Sequence, residues 1–196
     1  MEDRPGLESA VTEPLLVTLL PFLFLVLLFG GGLLLRRRNI DMDGEPPINR
    51  TIFYVSKYSI MLLWAAMILQ AWGINLSLLD TGKALKWLAL GLWTCGFAVM
   101  FIGRFGLGDS FRIGAAKEST SLRVAGLFRF SRNPMYVGVY ATLLASVLYT
   151  ANPIVFLLAV FVIAVHHRIV RAEEQHLGGV FGREYTAYCA RVRRYL

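Results

Sequence analysis

The chain has 196 residues, of which 56% are hydrophobic and 17% are charged, and its formal net charge is +7. This composition is typical of an integral membrane protein, and a basic face beside anionic lipid explains the charge, so we expect no nucleic-acid partner. The two cysteines, Cys95 and Cys189, fall in a membrane helix and in the C-terminal tail, so we expect neither a disulfide nor a metal site.

Four uncharged runs approach the roughly 20 residues that a membrane-spanning helix needs. They cover residues 15–35, 58–79, 87–103 and 133–165, and the third can be extended back to residue 84. The fourth run is broken by Ala151-Asn152-Pro153, which predicts a tight helical hairpin with two short arms. The sequence therefore predicts an all-α integral membrane protein with about five transmembrane helices, the last two forming the hairpin.

Lysine and arginine are distributed unevenly between the two sides of these helices. Seventeen of the 20 fall in residues 36–57, 104–132 and 168–194, and the other three are Arg4, Lys83 and Lys86. Because positively charged loops stay in the cytoplasm, the N-terminus is predicted outside and the C-terminus in the cytoplasm. Residues 104–131 mix apolar and basic residues and are predicted to lie in the membrane interface.

The fourth helix is predicted to begin at Pro134, within the stretch Arg132-Asn133-Pro134-Met135-Tyr136-Val137-Gly138. Proline suits the first helical position and Asn133 is a good N-cap, so the helix end could bind an anion. Further along, small residues recur at spacings of three and four and predict close packing, most simply against the fifth helix. They are Gly138, Ala141, Thr142, Ala145 and Ser146.

The fifth helix leaves the apolar run with ionisable residues, among them the neighbours Glu173 and Glu174. Ionisable residues at a membrane boundary indicate a functional site, and adjacent helical positions point about 100° apart, so the two glutamates have different roles. Beyond them, Phe181-Gly182-Arg183-Glu184-Tyr185 and Tyr188 belong to a predicted amphipathic helix with a basic end.

Taken together, these motifs resemble those of the isoprenylcysteine carboxyl methyltransferases. The pattern in that family is Arg-His-Pro-x-Tyr-x-Gly, a helical hairpin, Glu-Glu, and then Phe-Gly-x-Glu-Tyr-x-x-Tyr. Related proteins include the phospholipid N-methyltransferases and small bacterial membrane proteins. The resemblance covers residues 104–196, which we take as the cofactor-binding catalytic part, whereas residues 1–103 contribute three N-terminal transmembrane helices without a signature.

The resemblance implies S-adenosyl-L-methionine as cofactor, bound in a cytoplasm-facing pocket that the hairpin and the C-terminal segment close. A lipophilic methyl acceptor would enter from the bilayer, and no metal is implied. The cofactor carboxylate would bind at Arg132 or the Pro134 helix end, and its cationic groups near Glu173. The implied cofactor-binding residues are Ser121, Leu122, Arg123, Phe128, Arg132, Asn133, Pro134, Met135, Tyr136 and Glu173.

Several positions depart from the family pattern. Asn133 and Thr120 replace histidines, Arg123 replaces a valine and Phe128 a tyrosine. Ile169 stands where the family has a substrate-side arginine, so Arg168 or Arg171 is expected to take that role, and Glu174 is the candidate catalytic base for an amine acceptor.

The identity of the acceptor stays open among a prenylated cysteine carboxylate, a phospholipid amine such as phosphatidylethanolamine, and a thiol. Two further functions remain as alternatives: an NADPH-dependent membrane reductase of the sterol-reductase type, and a non-enzymatic scaffold whose basic face binds membrane lipids.

Overall fold

The computed structural model describes residues 5–37, 46–80, 82–107 and 122–196, with side chains described in the first helix from residue 11 to residue 33. All regular secondary structure in these residues is helical, as predicted. The elements are α1 (Pro5–Arg37), α2 (Arg50–Ala71), α3 (Lys83–Leu107), a 3₁₀ helix (Gly126–Arg129), α4 (Pro134–Thr150), α5 (Pro153–Phe181) and α6 (Arg183–Arg191).

Four of these helices are long and apolar enough to cross a membrane, namely α1, α2, α3 and α5. The helix α4 has 17 residues and is also apolar, so at 1.5 Å per residue it measures about 25 Å. The prediction of a multi-pass, all-helical membrane protein is therefore confirmed. Of the predicted interfacial segment, residues 108–121 lie outside the described residues, and residues 104–107 continue α3.

The second helix lies about two turns closer to the N-terminus than predicted. It begins after Asn49, whose side chain accepts hydrogen bonds from the amides of Thr51 (3.0 Å) and Ile52 (3.2 Å). It ends before Gly73, which adopts a φ of 89°. Because the prediction started at the first uncharged residue after Lys57, it missed the turns that precede this lysine; Lys57 is an internal residue of α2.

The predicted hairpin between α4 and α5 is confirmed. Ala151 ends α4 in the left-handed conformation, with a φ of 45°, and reverses the chain. The Asn152 side chain then accepts from the amide of Ile154 at 2.8 Å and caps α5, whose first residue is Pro153. Its Nδ2 also donates to the carbonyl of Leu76 at 2.7 Å, which holds the turn against the loop after α2.

The small residues of α4 pack most closely against α3, so the prediction that they face mainly α5 is wrong. A Cβ added to Gly138 would lie 2.6 Å from the carbonyl oxygen of Gly96, and one added to Gly96 would lie 2.8 Å from that of Gly138. Two glycines thus allow the helix backbones to approach directly. The sequence pattern of α4 did not reveal that α3 carries the matching glycine.

The core lies where α1, α2, α3 and α4 meet. Phe24, Trp64, Trp93 and Phe97 form a network of mostly edge-on aromatic contacts, with ring centroids 4.9–6.3 Å apart. The indole nitrogen of Trp64 also donates to Thr142 Oγ1 at 3.0 Å. This anchor fixes the rotation of α2, so that the face carrying Phe53, Lys57 and Trp64 is directed towards α4 and α5.

Candidate active site

The segment that leads into α4 is held by the C-terminal part of the chain. The 3₁₀ helix Gly126–Arg129 buries Phe128, and the Tyr188 hydroxyl of α6 donates to the Phe128 carbonyl at 2.7 Å. Burial raises the pKa of Tyr188 to about 12, so this hydroxyl stays a neutral donor. The prediction that α4 begins at Pro134 is confirmed, because Pro134 is its first residue.

Asn133 occupies the N-cap position of α4, as predicted, but its side chain makes no capping hydrogen bond. Its Nδ2 donates instead to Glu174 Oε1 at 2.9 Å and to the Arg194 carbonyl at 3.2 Å. Capping would use Oδ1 as an acceptor, and the orientation that lets Nδ2 donate to the charged Glu174 carboxylate leaves Oδ1 without a hydrogen bond from the amides of α4. The first turn of α4 is left bordering the cavity described below.

Glu174 is the centre of a network of ion pairs and hydrogen bonds. Its Oε1 accepts from Arg132 Nε at 3.0 Å as well as from Asn133, and its Oε2 accepts from Arg194 Nε at 2.8 Å and Arg132 Nη2 at 3.3 Å. A carboxylate has about four acceptor positions, and here all four are used. Burial alone would lower the pKa of Arg132, but the hydrogen bond and charge of Glu174 raise it above its ordinary value.

The last residues of the chain complete this network through their backbone. The amide of Arg132 donates to the Arg193 carbonyl at 2.9 Å, and its Nη1 donates to the Val192 carbonyl at 2.7 Å. Further along, the Tyr195 hydroxyl lies 2.9 Å from His167 Nδ1. We call residues 192–195 the C-terminal strap, since they join the start of α4 to α5.

Glu173 has different surroundings from its neighbour. Both of its carboxylate oxygens lie 3.1 Å from the hydroxyl of Tyr136, which donates to them, and its side chain is partly buried. The Lys57 ammonium lies 5.8 Å from the centroid of the Tyr136 ring and 5.0 Å from that of Phe53. Glu173 and Lys57 therefore approach the same aromatic ring from different elements.

A cavity of about 480 Å³ connects these groups and is of the size expected for a small-molecule site. One wall is polar and includes Lys57, Arg132, Asn133, Tyr136 and Glu173. The remaining walls are apolar and come from α1, α2, α3 and the first turns of α4. Among them are Phe24, Leu28, Ile60, Met61, Trp64 and Met100.

Seven of the predicted cofactor-binding residues line this cavity. They are Phe128, Arg132, Asn133, Pro134, Met135, Tyr136 and Glu173. Of the other three, Ser121 lies outside the described residues, and Leu122 and Arg123 lie before the 3₁₀ helix, away from the cavity wall.

The three predicted catalytic residues lie outside the cavity wall. Glu174 is behind Arg132 and Asn133, and its carboxylate is saturated with hydrogen bonds. Arg168 and Arg171 are exposed on the opposite side of α5 from the cavity. Ile169 is buried against Phe53 and Val165, so no arginine of α5 enters the site at that position.

Sequence reasoning missed Lys57 and all of the other residues by which α1 and α2 line the cavity. Lys57 had been assigned to a connector, although a lysine within an apolar helix is by itself a signal of a functional site. The apolar walls carry no such signal, because Phe24, Leu28 and Met61 look like any residues of a membrane helix.

The family model described as phospholipid methyltransferase matches residues 81–184 of the chain, which is more than half of its length. The matched part contains α3, α4, α5 and both glutamates, but neither Lys57 nor the C-terminal strap. No curated protein matches the sequence significantly. The match confirms the prediction that the chain is related to the isoprenylcysteine carboxyl and phospholipid methyltransferases.

Proposed function

The chain belongs to the phospholipid methyltransferase family, and from this premise we propose that it transfers a methyl group from S-adenosyl-L-methionine to a lipophilic acceptor. The observation that carries the proposal is the two-sided cavity. Its polar wall is built by the start of α4 and the end of α5, and its apolar walls by the transmembrane helices. Such a cavity can hold a charged, water-soluble donor against a lipophilic acceptor that comes from the bilayer.

The polar wall has the groups that this donor needs. The Glu173 carboxylate is partly buried, and its described hydrogen-bond partner is the neutral hydroxyl of Tyr136. A buried carboxylate favours a cation nearby, and the donor carries an ammonium and a sulfonium. The donor carboxylate fits Arg132 and the first turn of α4, where the amides and the helix dipole favour an anion.

When bound, S-adenosyl-L-methionine would supply an electrophilic methyl group, which an acceptor lone pair would take while the electron pair of the carbon–sulfur bond would stay with the sulfur. The side chains of the chain position the two reactants in line and exclude water, and such positioning supplies much of the rate. Phe128, Met135 and Tyr136 border the cavity and serve this purpose.

We propose that Glu174 positions Arg132 and Asn133 and does not act as a base, since its oxygens already accept four hydrogen bonds. A carboxylate or thiolate acceptor needs no base, whereas an amine must lose a proton. An isoprenylcysteine-like carboxylate is therefore the preferred acceptor. A thiol and the amine of phosphatidylethanolamine are the alternatives.

The direct test of the donor is a thermal-unfolding measurement on the detergent-purified protein with S-adenosylhomocysteine and, separately, with NADPH. A ligand at about 100 times its dissociation constant stabilises the folded state by ~2.7 kcal/mol. We expect stabilisation by S-adenosylhomocysteine alone. Stabilisation by NADPH alone would instead indicate a reductase. If neither ligand changes the unfolding temperature, the result would favour the non-enzymatic membrane scaffold.

The variant Glu173→Gln tests the proposed site within that measurement. The substitution removes the charge at nearly constant shape. The rise in unfolding temperature with S-adenosylhomocysteine should therefore disappear, while the ligand-free protein still folds. Glu184→Gln is the matched control, because Glu184 is exposed on α6 and lies outside the cavity wall. An unchanged shift in Glu173→Gln would refute the role of this carboxylate.

A further inference from the structure

The cavity contains a third charged side chain, Lys57, which donor binding does not use. It comes from α2, outside the segment that matches the family. It is partly buried and lines the cavity where the polar wall meets the apolar residues of the same helix, Ile60, Met61 and Trp64. The residues one turn and two turns away on its face, Phe53 and Trp64, are both buried in the fold, so this side chain is directed inward.

The charges around the cavity do not balance once the donor is bound. Among the described residues that line it, Lys57 and Arg132 are cationic and Glu173 is anionic. Arg132 is paired with Glu174, whose other partner is Arg194, and no described ion pair joins Lys57 to Glu173. If Glu173 receives a cation of the donor, the ammonium of Lys57 is left without a counter-charge, which is costly in a buried site.

We propose that Lys57 is the specificity-determining residue of the acceptor site and binds an anionic group, a carboxylate or a phosphodiester, on the lipophilic acceptor. The inference rests on the proposed function and deepens it. Lys57 lies next to the apolar walls, so an anion paired with it leaves the hydrocarbon part of the acceptor against α1 and α2. Its distances of 5.0 Å and 5.8 Å to the rings of Phe53 and Tyr136 hold the ammonium in place without neutralising it.

The position of Lys57 on α2 also explains why the cavity has a cationic side chain at a place where α5 provides none. Arg168 and Arg171 are exposed away from the cavity, and Ile169 belongs to the same buried cluster as Phe53. Lys57 lies above that same phenylalanine ring. The cation thus approaches from α2 at the place where α5 presents an aliphatic side chain.

The test compares binding of three C16 amphiphiles, hexadecanoate, hexadecyl phosphate and hexadecanol, to the detergent-purified full chain. Binding is measured with and without S-adenosylhomocysteine, so the test does not depend on turnover. In Lys57→Gln, we expect affinity for at least one of the two anions to fall about tenfold or more, since an ionic hydrogen bond is lost. Affinity for hexadecanol should not change, and Lys57→Arg should restore anion binding.

Lys83→Gln is the matched control, because Lys83 is exposed at the start of α3 and lies outside the cavity wall. The two anions distinguish the two possible anionic groups of the acceptor. Preference for hexadecanoate indicates a carboxylate acceptor, and preference for hexadecyl phosphate indicates a phospholipid headgroup. An equal loss for all three amphiphiles, or no loss for either anion, would overturn the proposal.

The dissociation constant of S-adenosylhomocysteine separates this proposal from the proposed function. It should change less than about threefold in Lys57→Gln, and a tenfold weakening would mean that Lys57 binds the donor carboxylate instead. If the wild-type protein does not bind S-adenosylhomocysteine, the proposed function fails, whereas the comparison of the amphiphiles still tests Lys57. With an acceptor that the protein is found to methylate, Lys57→Gln should raise the KM for that acceptor and leave kcat nearly unchanged.

Discussion

At the scale of single residues, the neighbours Glu173 and Glu174 illustrate how side-chain direction separates two roles. Both lie in the same turn of α5, but Glu173 faces the cavity and Glu174 faces the start of α4 and the C-terminal strap. One carboxylate has a single neutral hydrogen-bond partner among the described residues, and the other has two arginines and an asparagine. We therefore assign ligand binding to Glu173 and the positioning of its surroundings to Glu174.

This difference predicts that glutamine substitutions of the two glutamates have different effects on stability and on ligand binding. Glu174→Gln leaves Arg132 and Arg194 without their shared carboxylate, and we expect the free energy of unfolding to fall by about 2–3 kcal/mol. Glu173→Gln removes a charge that has no ion pair in the described structure but attracts Lys57. The relief of a desolvated carboxylate and the loss of this attraction should offset each other, so stability should change by less than about 1 kcal/mol while ligand binding is lost. Thermal unfolding without ligand measures both, and equal stability of the two variants would contradict the assignment.

At the scale of elements, the contact between α3 and α4 depends on two glycines. In Gly138→Ala the added methyl group would lie 2.6 Å from both the Gly96 carbonyl oxygen and Met100 Cγ. Overpacking of this kind costs about 1–3 kcal/mol, and it would also move the first turn of α4 at the cavity. We expect a lower unfolding temperature together with weaker binding of S-adenosylhomocysteine.

The control for this substitution is Gly91→Ala, also in the interior of a membrane helix. Gly91 is exposed, and an added Cβ would have no described atom within 4 Å apart from its own stretch of helix, so alanine should be neutral or stabilising by up to about 1 kcal/mol. If both alanine variants unfold at the wild-type temperature, the close approach of α3 and α4 is not important for stability.

The C-terminal strap is the second element whose removal has a defined consequence. Deleting residues 192–196 takes away the carbonyls that accept hydrogen bonds from Arg132 and Asn133, both of which line the cavity. We expect the dissociation constant of S-adenosylhomocysteine to rise at least about tenfold in an isothermal titration. Deleting Leu196 alone is the control, since this residue is 79% exposed. If both deletions weaken binding of S-adenosylhomocysteine equally, the C-terminal strap does not hold the site.

Local patterns in the sequence predicted the helices and the hairpin because hydrophobicity and the Asn-Pro signal act within a few residues. They failed where a partner lies far along the chain. Asn133 would cap α4 if it were alone, but Glu174 is 41 residues away and binds its side chain. Lys57 was overlooked because the second helix was predicted to begin after it, and because only the packing of α2 on α4 and α5 brings it to the cavity.

At the scale of the whole molecule, the cavity joins the two parts of the chain that sequence analysis had separated. Residues 104–196 provide the polar wall, except for Lys57, whereas residues 1–103 provide most of the apolar walls. A chain with one half removed would therefore lack one side of the cavity. We infer that the first two helices, which lie outside the family match, determine which acceptor binds.

The orientation in the membrane decides which compartment the polar wall faces, and the positively charged residues predict it. Seventeen of 20 lysines and arginines fall in segments that the sequence predicts on the side of the C-terminus, so this side should be cytoplasmic, where the donor is made. The test introduces Lys83→Cys or Arg191→Cys, both at exposed positions, into a Cys95→Ser/Cys189→Ser background. A membrane-impermeant maleimide should label the first variant in intact cells and the second only after lysis. The reverse pattern would place the C-terminal strap and the polar wall outside the cell, where the proposed donor would not reach them.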